Sequence, residues 1–175
     1  MKFFSTVTII VLSLSACSLS KNTAGKIKYD TIQDAESKVL KGIINRSILE
    51  KDTAFAWFRN NMQYGTVDEY ALNAFKQKGS EFSIIIFCGT WCHDSQNLIP
   101  KLYRLFDKSG YPESKVTLIA VDKEKTTING LHTKWKIISI PTFIIVKNGV
   151  EVGRVIEYGK TGNMEKELGE IVMGL

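Results

Sequence analysis

Cysteine and proline are scarce in this chain of 175 residues, which holds three of each. Three cysteines are too few for a small fold stapled by several disulfides, and they exclude a zinc site built from four cysteines. The chain also lacks a run of five or six basic residues, although its formal net charge is +5. Lysines that alternate with acids predict a solvated surface, so no nucleic-acid partner is expected. A hydrophobic content of 44% fits one globular domain with some additional chain.

The start of the chain has no apolar run long enough to span a bilayer, which needs about 20 residues. Residues 3–14 carry no charge and follow Lys2, a pattern typical of a secretory signal peptide. The run ends at Ala16-Cys17, which resembles the bacterial lipoprotein signal, in which a cysteine after a small residue is diacylated and becomes the new N-terminus. The alternative is an ordinary signal peptide with an incidental cysteine.

The lipoprotein interpretation divides the first part of the chain. It makes residues 1–16 the signal peptide and residues 17–30 a polar tether, and lipid on Cys17 would anchor the protein without a membrane-spanning helix. The domain would then lie in the bacterial cell envelope, facing the periplasm or the exterior, where disulfides persist. Only Cys88 and Cys92 are left for chemistry.

Hydrophobic periodicity divides the remaining chain into a prefix and an α/β domain. Apolar positions at helical spacing predict a helix from residue 53, and a capping box from Thr66 to Glu69 predicts the start of a second. Residues 31–79 are therefore taken as a helical extension, although residues 31–51 show no clear period.

Residues 80–175 show short apolar runs alternating with amphipathic segments, in the order β-α-β-α-β-β-α. Two strands joined by a helix predict parallel pairing. The hairpin signal Asn148-Gly149 adds an antiparallel edge. The predicted fold is a mixed sheet flanked by helices.

Chemistry-bearing residues cluster at the end of the first strand of this domain, in the segment Trp91-Cys92-His93-Asp94-Ser95. A cysteine at the junction of a strand and a helix lies beside unpaired N–H groups, and the helix dipole favours its thiolate. His93 would add positive charge, whereas Asp94 would oppose it. The alternative is that this cysteine serves only as a small buried apolar side chain.

Over residues 80–175 the chain resembles the thioredoxin family. The resemblance rests on the apolar strand into Trp91-Cys92, on Ile140-Pro141-Thr142 before a strand, on the Lys147-Asn148-Gly149 hairpin and on Gly159. It implies the thioredoxin fold with a cis peptide bond at Pro141. It also implies that backbone groups of Ile140 bind an extended client by strand addition, beside Trp91, His93 and Asp94.

Three positions depart from the family pattern. Ser95 stands where the family has a second cysteine, and a serine cannot break a mixed disulfide. Ile86 stands where the family has a buried acid, and Cys88 where it usually has an aromatic residue. Cys88 either supplies a second thiol or merely fills space near the strand end. Asp122 matches a family position close to the active site, and the alternative is a turn residue at the end of a strand.

The expected function is that of a thioredoxin-like protein that forms mixed disulfides with client proteins through the single nucleophile Cys92. A client thiol, a small thiol or Cys88 would resolve the mixed disulfide, and no cofactor is expected. One alternative is a redox-inactive thioredoxin-fold binding module. Another is a copper-binding protein, because Cys88 and Cys92, with His93 or His132, resemble thioredoxin-fold proteins that assemble cytochrome oxidase.

Overall fold

A computed structural model describes residues 26–34 and 37–175. The predicted signal peptide, the lipidation site Cys17 and most of the predicted tether lie outside the described residues. Within the described ranges, no helix combines the length and the apolar character needed to cross a membrane.

The described residues form one mixed sheet of six strands, in the order β1-β2-β4-β3-β5-β6. Strands β3 and β4 pair in parallel, as the helix between them requires, and the other described neighbours pair antiparallel. The strands are β1 (Lys28–Gln33), β2 (Lys38–Ile44), β3 (Ser83–Cys88), β4 (Val116–Ala120), β5 (Thr142–Lys147) and β6 (Val150–Ile156).

Helices flank this sheet, and the order of elements predicted after residue 80 is confirmed. In the prefix, the second predicted helix begins later than expected, because the Asp68 side chain rather than Thr66 accepts the N–H of Ala71, at 3.0 Å. The helices are α1 (Arg46–Lys51), α2 (Ala56–Met62), α3 (Glu69–Lys78), α4 (His93–Ser109), α5 (Leu131–Lys134) and α6 (Met164–Met173).

The prefix differs from the expected helical extension over residues 31–79, because it is helical only from Arg46 onward. Before that residue, β1 and β2 form an antiparallel hairpin, and β2 joins the sheet by pairing with β4. Gly42 explains why the hydrophobic pattern did not predict strand β2. It takes a buried position between Leu40 and Ile44, so the alternation lacks an apolar side chain at its centre. A Cβ on Gly42 would lie 2.4 Å from the carbonyl oxygen of Lys28.

Two apolar clusters cover the opposite faces of the sheet. Along β3, Ile86 and Cys88 belong to the large cluster, which packs under α1–α4 and α6. Phe87 belongs to the small cluster, together with Ile140 and Val121. Because successive side chains of a strand point to opposite faces, the side chains of Phe87 and Cys88 lie in different clusters.

Candidate active site

Cys92 forms the N-cap of α4, at the point where the loop after β3 becomes a helix. Its backbone N–H donates to Gly89 O at 3.0 Å, and its own carbonyl accepts the N–H of Gln96 at 3.0 Å. The Cys92 side chain is partly exposed and caps none of the helix N–H groups. The sulfur therefore lies beside the N-terminal end of a 17-residue helix, where backbone N–H groups have no partner within the helix.

The segment that faces Cys92 contains a cis peptide bond between Ile140 and Pro141, as predicted. The Cys92 sulfur lies 3.8 Å from the carbonyl oxygen of Ile140. Gly89 permits this approach, since a Cβ at that position would lie 2.8 Å from Cδ1 of Ile140 and 3.0 Å from the Trp91 indole. An extended chain bound along Ile140 would therefore run directly past the sulfur.

Ser95 occupies the position one helical turn after Cys92 and is fully buried. Its Oγ accepts the N–H of Gly89 at 3.1 Å, so the hydroxyl ties the start of the loop to the first turn of α4. The structure gives Ser95 a structural contact in the site, and a hydroxyl supplies no sulfur for breaking a mixed disulfide.

Cys88 is the second free thiol of the described residues, and it is buried at 2% exposure. Burial raises the pKa of its thiol to about 12, with a smaller contribution from the neighbouring Cys92. Its side chain lies in the large cluster, whereas Cys92 packs against the small one. Of the two interpretations of Cys88, this environment favours the packing role.

The residues on either side of Cys92 form the rim of the site. The Trp91 indole N–H donates to the carbonyl of Val121 at 3.1 Å, which fixes the ring against the segment that follows β4. His93 is exposed, and Oδ1 of Asp94 accepts the hydroxyl of Tyr158 at 3.1 Å. Tyr158 was missed by the sequence reasoning, although it directly precedes Gly159, one of the residues that carried the family resemblance.

Thr90 is a second residue that the sequence reasoning missed. Its hydroxyl donates to the carbonyl of Lys38 and accepts the N–H of Leu40, both at 3.1 Å. Its own carbonyl accepts the side-chain amide of Gln96 at 3.0 Å. No signal near Thr90 could have revealed these contacts, because they depend on β2 joining the sheet.

Asp122 lies two residues after β4 and follows Val121, whose carbonyl binds the Trp91 indole. Lys41 Nζ lies 2.5 Å from its Oδ2, and the N–H and hydroxyl of Thr126 donate to it at 2.7 and 2.6 Å. Burial opposes ionisation of this carboxyl, but the hydrogen bonds from Lys41 and Thr126 outweigh burial and lower its pKa. Asp122 is therefore held as a carboxylate.

Copper binding would need a third ligand beside the two thiols. Across residues 26–34 and 37–175, no three His, Cys, Asp or Glu residues are grouped so that they could hold a metal ion. His132, one of the two histidines considered, accepts the N–H of Thr127 through Nδ1 at 3.1 Å. The two thiols and the imidazoles considered for copper are therefore not grouped together in the described ranges.

Comparison with known proteins identifies the family to which the chain belongs. A family model described as thioredoxin matches residues 48–167, which is more than half of the chain. The chain belongs to the thioredoxin family. The two N-terminal strands of this thioredoxin-family protein, β1 and β2, precede the matched residues.

Individual relatives agree with this assignment. The chain is 31% identical over 99 residues to a thioredoxin of Echinococcus granulosus, with 57% of this chain and 86% of that protein covered. It is 30% identical over 94 residues to a TPR repeat-containing thioredoxin of Arabidopsis thaliana, covering 54% of this chain but only 23% of that protein. A crystal structure of an HIV epitope scaffold superposes with a TM-score of 0.51 at 17% identity, covering 77% of this chain and 94% of that one, which supports the fold alone.

Proposed function

We propose that this thioredoxin-family protein forms mixed disulfides with client proteins through Cys92 alone. The observation that carries the proposal is the position of its sulfur, partly exposed at the N-terminus of α4 and 3.8 Å from the carbonyl of Ile140. An attacking thiol must be accessible to the client, and this position supplies that access at the N-terminal end of a helix. The client would be a protein with an exposed thiol or disulfide.

Because Cys88 is buried and Ser95 has no thiol, a second thiol of the client would resolve the mixed disulfide. Cys92 thiolate attacks one sulfur of a client disulfide, whose S–S bond breaks while a new S–S bond to Cys92 forms. The other client sulfur leaves as a thiolate and takes up a proton. Another client thiolate then attacks the client sulfur of the mixed disulfide, forms a new client disulfide and releases Cys92 as a thiolate. The cycle rearranges client disulfides without net transfer of electrons.

The proposal includes a lipid anchor on Cys17 and a place in the bacterial cell envelope. Its support is the Ala16-Cys17 junction after a short apolar run. Such an anchor would hold the domain at a membrane in a compartment where clients carry disulfides. Incorporation of a labelled fatty acid into the parent chain, but not into Cys17→Ser, would support it, whereas equal incorporation would contradict it.

Trapping of mixed disulfides tests the proposed chemistry. The reduced protein is mixed with a peptide disulfide at neutral pH, quenched with acid and analysed by intact mass. We expect an adduct on the parent and on Cys88→Ala, the matched control, and none on Cys92→Ala. A Cys92→Ala protein that captures as much peptide as the parent would contradict the proposal.

Restoring the missing thiol sharpens the same experiment. In Ser95→Cys the new sulfur lies one helical turn from Cys92, so attack on the mixed disulfide becomes intramolecular. We expect the lifetime of the adduct to fall at least about tenfold and an internal disulfide to replace it. An adduct as long-lived as that of the parent would show that a second thiol at this position does not govern resolution.

A redox-inactive binding module is the second candidate function. The observation that favours it is Ile86, an aliphatic residue that is fully buried where the family resemblance implies an acid. In this case the groove along Ile140 would bind an extended peptide without covalent chemistry. Equal affinity of the parent and Cys92→Ala for an unmodified peptide, with no adduct on the parent, would favour this candidate over the first.

A further inference from the structure

Strand β2 contacts the loop that carries Cys92, and one side chain makes the contact. Thr90, 3% exposed, lies two residues before Cys92. Its hydroxyl donates to the carbonyl of Lys38 and accepts the N–H of Leu40, each at 3.1 Å. One side chain therefore satisfies two backbone groups of β2 that would otherwise lie unpaired near the buried end of the loop.

The same loop is held from the side of α4 and α2. The carbonyl of Thr90 accepts the amide of the Gln96 side chain at 3.0 Å. The backbone carbonyl of Gln96 in turn accepts the side-chain amide of Asn61 at 3.0 Å. Thr90 thus lies between β2 on one side and the first turns of α4 on the other.

Strand β2 also reaches the neighbouring loop of the site. Lys41 Nζ pairs with Asp122, the residue after Val121. The carbonyl of Val121 accepts the Trp91 indole N–H. Strand β2 therefore contacts both the loop that contains Trp91, through Thr90, and the segment that binds the Trp91 indole, through Lys41.

We propose that Thr90 is a positioning residue that couples β2 to the attacking sulfur. By fixing the loop from Gly89 to Cys92 against β2, its hydroxyl keeps the sulfur aligned with the carbonyl of Ile140, along which the client binds. This inference rests on the proposed function for its consequence in catalysis. It gives a role to β2, which lies before the part of the chain that matches the family, residues 48–167.

Two substitutions at Thr90 separate the hydroxyl from the shape of the side chain. Thr90→Val keeps the branched shape but removes both hydrogen bonds, whereas Thr90→Ser keeps the hydroxyl. Thr127→Val is the matched control, because Thr127 is also buried and its hydroxyl donates to the carbonyl of Ala120 at 2.8 Å. This acceptor lies in β4 and not in the loop that carries Cys92. The control therefore measures the effect of losing one buried hydroxyl elsewhere.

Two kinetic readouts distinguish positioning from general destabilisation. Reaction of Cys92 with a peptide disulfide requires alignment along Ile140, whereas reaction with iodoacetamide requires only an accessible thiol. We expect Thr90→Val to react about tenfold more slowly with the peptide disulfide and within about twofold of the parent with iodoacetamide. Thr90→Ser and Thr127→Val are expected to retain the rate of the parent in both reactions.

Amide hydrogen exchange tests the hold on the loop independently of client chemistry. We expect faster exchange of the Gly89 and Cys92 amides in Thr90→Val, and exchange like that of the parent in Thr90→Ser and Thr127→Val. A Thr90→Val protein that matches the parent in exchange and in both rates would overturn the inference. Equal slowing in Thr90→Val and Thr127→Val would also overturn it.

Failure of the proposed function would look different from failure of this inference. A parent protein that gives no adduct with the peptide disulfide overturns the proposed function. Faster exchange at Gly89 and Cys92 in Thr90→Val alone would still support the coupling of β2 to the loop. Unchanged exchange in that case would overturn both.

Discussion

Cys88 and Cys92 lie four residues apart in the chain but in opposite environments. Cys88 ends β3 with its side chain in the large cluster, 2% exposed. Cys92 is the N-cap of α4, is partly exposed and packs against the small cluster on the other face. Spacing in sequence alone would allow the two thiols to act together, but the strand directs the side chain of Cys88 into the large cluster.

The difference shows how burial and backbone geometry divide chemical roles between like residues. Burial raises the pKa of Cys88 to about 12, so it is a neutral thiol at physiological pH. Cys92 is instead partly exposed, at the N-terminal end of α4. A thiol that is neutral and inaccessible acts as a small apolar side chain, whereas an accessible thiol at a helix N-terminus is suited to attack.

Selective alkylation gives the largest expected effect and tests the comparison most directly. At pH 8 and in the native state, we expect iodoacetamide to label Cys92 at least about a hundredfold faster than Cys88, because attack requires an exposed thiolate. Peptide mapping by mass spectrometry measures both rates in one sample, and the unfolded protein is the control in which the two should react alike. Similar native rates would show that Cys88 is more accessible than its burial implies.

The part of this comparison that sequence could predict is local. The position of Cys92 at the junction of a strand and a helix was predicted from the apolar run from Phe82 to Phe87, which is typical of a strand buried on both faces. The hairpin followed from Asn148 and Gly149, whose φ angles of 53° and 80° are the positive values that such a turn requires. Signals of this kind depend on a few adjacent residues, so they survive without knowledge of the fold.

The parts that could not be predicted depend on contacts between distant segments. Strand β2 is fixed by pairing with β4, in which Gly42 lies opposite Ala120. The contact of Thr90 with Leu40 exists only because that pairing brings them together. Whether Cys88 pointed into the large or the small cluster likewise depended on which face of the sheet α1–α4 and α6 cover, and the apolar run is compatible with either face.

Replacing each cysteine by serine gives the next largest effect, and the loss in free energy of unfolding should differ between the two positions. Cys88→Ser places a hydroxyl in the large cluster, which we expect to lower the free energy of unfolding by about 2 kcal/mol. The same exchange at Cys92, which is partly exposed, should cost less than about 0.5 kcal/mol. Urea denaturation followed by tryptophan fluorescence measures both. Equal costs would contradict the separation into a packing thiol and an exposed one.

The smallest expected effect concerns the charges that support the Cys92 side of the sheet. Folding lowers the pKa of Asp122, so its contribution to stability is present above the ordinary Asp value of about 3.9 and is lost as the pH falls through the lower folded pKa. Asp122→Asn removes the ion pair with Lys41 and cannot titrate.

We therefore expect Asp122→Asn to be about 1 kcal/mol less stable than the parent at pH 7, with the gap closing as the pH approaches 2. Urea denaturation of both proteins between pH 7 and pH 2 measures this convergence. Cys88→Ala is the control, because Cys88 stays neutral throughout this range and the variant should run parallel to the parent. Parallel curves for Asp122→Asn as well would mean that the contacts of Lys41 with Asp122 do not stabilise the loops beside Cys92. The two thiols would then differ in burial alone, and not also in the polar contacts that hold their surroundings.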